Sequence, residues 1–172
     1  MSRNNYLALL MLLLAACHTQ ALPQDAEQEM VIFSDTAELD RKAGIVIYKG
    51  NVVLTQGTLT INSDRLMILR NGDVLEKAVA EGKPAVFKQQ LSADQGLTTA
   101  EGQRIDYFAL RKEIHIKGQG RLLQEGNEFN GEKITYDMTR ERILATSEND
   151  EGTTSERIKV VIQPKAEGTS QP

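Results

Sequence analysis

The sequence predicts an all-β protein whose antiparallel sheet folds over on itself. Apolar and polar side chains alternate along most of residues 31–162, which is typical of strands that bury one face. No segment carries the i, i+3, i+4, i+7 apolar stripe of an amphipathic helix, so we expect helix to be nearly absent. Similar hairpins recur, and hairpins of this size bury an apolar face only against neighbours or a second sheet. The expected fold is therefore a jelly-roll-like sheet of repeated antiparallel hairpins.

Three hairpins are predicted from a repeated spacing of apolar residues. Positions k, k+2, k+9 and k+11 are apolar in each, which fits two strands joined by a polar turn. The three sets are Ala37, Leu39, Val46 and Tyr48; Ile105, Tyr107, Ile114 and Ile116; and Ile134, Tyr136, Ile143 and Ala145. The segment Asn71-Gly72-Asp73 predicts another hairpin turn. The glycines are interpreted as strand breaks, and residues 89–100, the least periodic region, as a long exposed loop.

The chain also repeats itself at a distance of 68 residues. Residues 49–56 resemble residues 117–124, and residues 61–66 resemble residues 129–134. Both pairs keep the same separation, so the two halves of the chain look like one structural unit used twice.

The N-terminus predicts secretion. An arginine precedes an apolar run, residues 6–16, that is too short to span a bilayer as a helix and fits a secretory signal peptide. Cleavage after Ala21 would release a soluble protein with one domain, residues 22–164, and a tail, residues 165–172, that we expect to be disordered. The alternative is a lipoprotein acylated at Cys17, since the residues before this cysteine fit the lipoprotein cleavage box.

Composition argues against several classes of function. The 172 residues carry a formal net charge of −4, which disfavours a nucleic-acid partner. After cleavage at Ala21 no cysteine and one histidine, His115, remain, so a disulfide framework, a Cys–His pair and a multi-histidine metal site are excluded. We predict no catalytic residue, metal or cofactor. A carbohydrate-active enzyme would need a carboxylate cluster, and the candidates are scattered: Asp64, Glu101, Asp106 and Glu132.

One face of the predicted sheet is apolar, and it is the candidate binding surface. The alternation points these side chains inward: Ile32, Val46, Tyr48, Leu54, Leu59, Ile61, Leu66, Ile68, Phe87, Ile105, Tyr107, Ile116, Leu122, Phe129, Ile134, Tyr136, Val160 and Ile162. The pattern by itself leaves two alternatives open. The face is either a ligand-binding groove or the dry core of a structural β-repeat protein.

Four segments carry a resemblance to a known family. Residues 48–57 (YKGNVVLTQG), 61–65 (INSDR), 82–87 (GKPAVF) and 131–136 (GEKITY) resemble the OstA-like family, and the resemblance extends over roughly residues 30–163. It implies a twisted, slightly open β-jelly roll in the periplasm. It also implies a non-enzymatic carrier that holds the lipid A acyl chains of lipopolysaccharide in an apolar interior and passes them from the inner to the outer membrane.

The resemblance also implies partners. These are an inner-membrane anchored OstA-like subunit of an export ATPase complex, the N-terminal OstA-like domain of an outer-membrane translocon, and further copies of the chain joined head to tail. The chain length and the short apolar run favour the bridge between the two membranes over either membrane-bound relative. The first strand, near residues 30–33, and the last, near residues 158–162, are apolar and are the expected joints.

Basic residues recur at equivalent turns of the repeat, and stacking would line them along one edge. They are Arg41, Lys42, Arg70, Arg111, Lys112, Arg140 and Arg142. Our hypothesis is that this basic rim contacts lipid A phosphates or inner-core sugars while the acyl chains lie inside. The alternative is that these are ordinary solvated turns.

Overall fold

The computed structural model describes residues 25–72, 74–91, 96–154 and 156–164. The predicted signal peptide, the alternative acylation site at Cys17 and the predicted disordered tail all lie outside these residues.

The described chain is a single antiparallel sheet of ten strands, preceded by a 3₁₀ turn at Asp25–Glu27. The strands are β1 Met30–Phe33, β2 Thr36–Asp40, β3 Ile45–Gln56, β4 Leu59–Asn71, β5 Val74–Gln90, β6 Leu97–Phe108, β7 Glu113–Gln124, β8 Asn127–Asp137, β9 Arg142–Thr146 and β10 Lys159–Val161. The order across the sheet is β1-β3-β4-β5-β6-β7-β8-β10, while β2 also pairs with β3 and β9 with β8. The all-β prediction is confirmed.

The registers confirm the three predicted hairpins. Leu39 pairs with Val46 across the β2–β3 turn, and Tyr107 pairs with Ile114 across the β6–β7 turn. Across the β8–β9 turn, Ile143 lies opposite Tyr136. The spacing of apolar residues therefore specified both the strands and their pairing.

A line of β-bulges crosses the sheet and bends it. The register shifts lie between Lys49 and Val52, Asn62 and Arg65, Glu81 and Ala85, Glu101 and Arg104, and Lys117 and Gly120. Bulges bend a strand and increase its twist, so their alignment makes a crease. The crease divides the sheet into half-sheet A, which contains β2, β9 and the adjoining parts of β3–β8, and half-sheet B, which contains β1, β10 and the remaining parts.

The 68-residue repeat includes this crease. Gly50 and Asn51 have positive φ angles of 80° and 45°, and Gly118 and Gln119, 68 residues later, have positive φ angles of 72° and 52°. Both pairs form the bulge of their strand, β3 or β7. The interpretation of all glycines as strand breaks was therefore wrong, because several lie inside long strands, where they permit the bulge.

The two half-sheets face each other. Ala100 lies opposite Phe87, and Tyr107 follows seven residues later on β6, which in a flat sheet is about 23 Å. The ring centroids of Phe87 and Tyr107 are nevertheless 5.5 Å apart. Folding at the crease brings them together and makes an unclosed jelly roll, with β1 and β2 at its N-terminal end and β9 and β10 at its C-terminal end.

The predicted loop at residues 89–100 is wrong at both ends. Strand β5 continues to Gln90 and β6 begins at Leu97, and Gln89 pairs with Thr98. Thr98 is 1% exposed and Ala100 is completely buried. The error arose because polar inward-facing residues interrupt the apolar alternation here without interrupting the strands.

Candidate functional site

The apolar interior between the half-sheets contains most of the predicted inward face. Eleven of the predicted residues are at most 2% exposed: Leu54, Leu59, Ile61, Leu66, Ile68, Phe87, Ile105, Ile116, Leu122, Ile134 and Tyr136. Five more are partly buried: Ile32, Val46, Tyr48, Tyr107 and Phe129. The structure therefore brings fifteen of these residues together in one apolar layer, and the sixteenth, Val46, lies opposite Ile68 of that layer.

Two residues predicted on the inward face are exposed instead. Val160 of the edge strand β10 pairs with Phe129 of β8 but is 46% exposed. Ile162 follows β10 and is 72% exposed. They lie at the C-terminal end of the sheet, where the described chain provides no further strand to cover them. Sequence reasoning also missed small buried residues such as Ala78, Ala80 and Ala85, whose weak hydrophobicity gave no distinct alternation.

On the inner face of half-sheet B, the size and polarity of the side chains change from the crease outward. Nearest the crease most of the inward positions carry a small residue or glycine, with Val52 opposite Ser63 as the exception: Ser63, Ala85, Gly102, Gly120 and Gly131. The next row is mostly large and apolar: Leu54, Ile61, Phe87, Ala100, Leu122 and Phe129. The outermost row is largely polar and includes Gln89, Thr98, Gln124 and Asn127. Small residues at the crease let the half-sheets approach each other closely, while the outermost row lies nearest the opening.

Polar contacts lie along that opening, which we call the mouth, and bridge part of it. Gln124 Nε2 donates to the Tyr136 hydroxyl across 2.7 Å, joining half-sheet B to half-sheet A. Near the N-terminal end, the Asp25 carboxylate accepts hydrogen bonds of 2.7 Å from Thr58 and from Gln89 Nε2. Burial, followed by the charge of Asp25, raises the pKa of Tyr107.

The mouth is open near its C-terminal end. A cavity of about 160 Å³ lies there, lined by Gln124, Asn127 and Phe129 of β7 and β8 and by Glu141 and Ile143 across from them. Phe129 and Ile143 pack against the buried core, so the cavity connects the polar row with the apolar interior.

The predicted basic rim follows the turns of half-sheet A. Arg41, Lys42, Arg70, Arg111, Lys112, Arg140 and Arg142 are all exposed at these turns or beside them. Arg111 lies 4.0 Å from the Phe108 ring centroid and pairs with Glu113, and Arg140 pairs with Asp137. The turns on the opposite lip, which belong to half-sheet B, contain no lysine or arginine, so the basic residues line one lip only.

The outer face carries an ion-pair network. Asp106 accepts hydrogen bonds from Arg104 and forms an ion pair with Lys77, whose Nζ lies 3.1 Å from Asp106 Oδ1. Arg104 also pairs with Glu81. Burial by itself would raise the pKa of Asp106, but hydrogen bonds from Arg104 and Lys77 outweigh it and lower the pKa. His115 lies opposite Asp106 on this outer face.

Two further findings concern the described residues. They contain no group of three metal-binding side chains. Within the same residues, no helix has the length and hydrophobicity needed to cross a bilayer.

Comparison with known proteins identifies the family. The family model described as "LptA/(LptD N-terminal domain) LPS transport protein" matches residues 31–142. The chain belongs to this family. The resemblance to OstA-like proteins and the jelly-roll fold are thereby confirmed.

Individual members of the LptA/LptD N-terminal family match over most of the chain. Lipopolysaccharide export system protein LptH of Pseudomonas aeruginosa is 42% identical over 149 residues, 84% of this chain and 85% of LptH. Lipopolysaccharide export system protein LptA of Escherichia coli is 31% identical over 157 residues, 90% of this chain and 84% of LptA. A crystal structure of P. aeruginosa LptH, described as a periplasmic component of a lipopolysaccharide transport device, superimposes with a TM-score of 0.72 at 36% identity, covering 83% of this chain and all of that one.

Proposed function

We propose that this chain is a periplasmic carrier that holds lipopolysaccharide acyl chains between its half-sheets and passes them from the inner to the outer membrane. The observation that carries the proposal is the continuous apolar interior of a sheet that is unclosed at both ends. Family membership supports lipopolysaccharide as the cargo, since the relatives are named for its export.

The energetics suit a passive carrier. Burying one methylene is favourable by about 0.8 kcal/mol, so a twelve-carbon acyl chain could gain on the order of 9 kcal/mol before ordering costs. Successive identical subunits would offer sites of nearly equal affinity, so movement along them needs no chemistry in the carrier. The energy comes from the proposed inner-membrane partner, the export ATPase complex.

Residues at the sheet ends support head-to-tail assembly. Among the described residues, ten large apolar side chains are exposed, and seven of them lie at the ends: Val31, Phe33, Leu39, Leu144, Ile158, Val160 and Ile162. Strand β2 carries Glu38 and Asp40 without a basic residue, whereas β9 begins with Arg142 and β10 with Lys159. The edge strands themselves thus differ in the sign of their charge, which favours strand addition between copies and to OstA-like domains of the membrane partners.

Photo-crosslinking in cells tests the groove. A crosslinker at inward Tyr107 should give a lipopolysaccharide adduct, and one at outward His115 should give none, because the two side chains lie on opposite faces of adjacent strands. An exported, folded protein without an adduct at Tyr107 would instead support the dry structural β-repeat protein.

The basic rim is tested by charge reversal. We expect Arg111→Glu with Lys112→Glu to weaken lipopolysaccharide binding in a purified-protein assay. The lipid phosphates would then lose cationic partners at the lip formed by the turns of half-sheet A. Lys83→Glu with Lys88→Glu, two exposed lysines beyond that lip, makes the same charge change and should leave binding unaltered. Equal lipopolysaccharide binding by both double variants would show that the basic rim does not contribute to binding.

Mass spectrometry of the mature N-terminus tests the export route. We propose cleavage after Ala21, which gives an unmodified chain beginning at Leu22. A diacylglyceryl mass on Cys17 would contradict a freely soluble carrier.

A further inference from the structure

The outermost row of half-sheet B is polar although it faces an apolar interior. Gln89, Thr98 and Gln124 each lie two residues beyond a member of the large apolar row, namely Phe87, Ala100 and Leu122. Because side chains two residues apart on a strand share a face, all three point inward. They lie about 7 Å further from the crease than the apolar row.

Two atoms of this polar row are buried without a hydrogen-bond partner among the described residues. Thr98 is 1% exposed and its Oγ1 has no partner, and the buried Oε1 of its cross-strand neighbour Gln89 has none either. Buried polar atoms are almost always paired, and leaving one unpaired costs stability. A valine at position 98 would fill nearly the same volume without that cost, so a polar ligand is a physical reason for the threonine.

We infer that the polar row of Gln89, Thr98 and Gln124 binds the ester- and amide-linked ends of the acyl chains. This inference rests on the proposed lipopolysaccharide-carrier function. Acyl chains in the apolar row would place their linkages to the sugars at the depth of the polar row. The Thr98 hydroxyl would donate to a linkage carbonyl, and Gln89 Oε1 would accept from an amide N–H or an acyl-chain hydroxyl.

The open end of the mouth gives access to this row. The cavity of about 160 Å³ is lined by Gln124 and Asn127, which pair with each other across β7 and β8. Gln124 donates a hydrogen bond to the Tyr136 hydroxyl, and this contact bridges the mouth. A ligand linkage that replaced this hydrogen bond would pair Gln124 with the lipid and separate the half-sheets. The polar row therefore sets how deeply the lipid enters the interior and where the linkages between its acyl chains and sugars lie.

The test compares two ligands on purified full-length mature protein. Purified lipopolysaccharide contains the linkages, whereas the fluorescent hydrocarbon diphenylhexatriene has no hydrogen-bonding group. We expect Thr98→Val to weaken lipopolysaccharide binding about three- to tenfold, the effect of losing one hydrogen bond, and to bind diphenylhexatriene like the wild type. Thr98→Ser, which keeps the hydroxyl, should bind lipopolysaccharide almost normally. Thr99→Val makes the same change one residue away on the opposite face and is the matched control.

The outcomes separate this inference from the proposed function. Loss of lipopolysaccharide affinity in Thr98→Val alone supports the inference. Wild-type affinity in Thr98→Val, equal losses for both ligands, or the same loss in Thr98→Ser would overturn it and leave the carrier function standing. A wild-type protein that binds diphenylhexatriene but no lipopolysaccharide would overturn the proposed function itself.

Discussion

At the scale of single residues, close packing at the crease depends on Gly102. A Cβ atom there would lie 2.6 Å from Ile116 Cγ2 and 3.1 Å from the Lys117 carbonyl oxygen. Ile116 belongs to half-sheet A and Gly102 to half-sheet B, so the missing side chain is what lets the half-sheets meet. A methyl group is enough to interfere, because interiors at this density tolerate little added volume.

We therefore predict that Gly102→Ala destabilises the protein by about 1–3 kcal/mol. Urea denaturation followed by circular dichroism measures the change. Gly96→Ala is the matched control, because a Cβ atom there would contact nothing within 4 Å, and it should be neutral or slightly stabilising. Equal stability of the two variants would show that the crease adjusts to the added methyl group.

At the scale of strands, the outer-face network connects neighbours that the crease bends together. Asp106 on β6 is bound by Lys77 of β5 and by Arg104 of its own strand, while Glu81 of β5 also pairs with Arg104. Asp106 is 4% exposed, so its charge is largely shielded from water and depends on these partners. The network opposes separation of β5 and β6 on the outer face of the sheet.

Asp106 should make stability depend on pH. Its pKa is lowered from an ordinary value of 3.8 in the folded protein. The ionised carboxylate therefore stabilises the fold above that value, and the contribution is lost as the pH falls through the lowered pKa. We expect Asp106→Asn to be less stable than wild type by roughly 1–3 kcal/mol at pH 7, with the difference narrowing below about pH 4.

Thermal unfolding of both proteins between pH 7 and pH 2 measures this difference. Asp64→Asn is the control, since Asp64 is an exposed carboxylate on β4, and its difference from wild type should be small throughout. A constant gap between Asp106→Asn and wild type down to pH 2 would contradict an electrostatic origin.

At the scale of the whole molecule, the open ends decide what the protein can build. The N-terminal end exposes 66% of Phe33, and the C-terminal end exposes 72% of Ile162. A joint between unlike ends can propagate without closing. Under the proposed function, such a joint would also align the interior of one copy with that of the next.

This geometry predicts the behaviour of two variants and their mixture. Phe33→Lys and Ile162→Lys should each be monomeric in analytical ultracentrifugation, because every joint needs one intact end of each kind. Their mixture should form dimers that do not extend, since only one productive joint is available. Leu97→Lys, at a residue 55% exposed within the central strands, should assemble like wild type. Mixtures that remain monomeric, or a monomeric Leu97→Lys, would contradict the head-to-tail joint.

The sequence by itself determined most of the strands, three of the hairpins and the inward phase of sixteen apolar residues. The face of residues such as Ile105 and Ile116 can be predicted from local alternation, because a one-residue slip in register would expose every apolar side chain. The 68-residue repeat was also visible, although its meaning as a bulge in β3 and β7 was not.

Only the tertiary structure decided where the sheet bends and what bridges its mouth. Whether a glycine such as Gly102 ends a strand or bulges within it depends on neighbouring strands, which lie far away in the sequence. The polar row was hidden for the same reason: Thr98 and Gln124 resemble loop residues until the fold places them beside Phe87 and opposite Tyr136. Local periodicity reports burial, whereas the crease and the mouth arise from contacts between strands that share no local pattern.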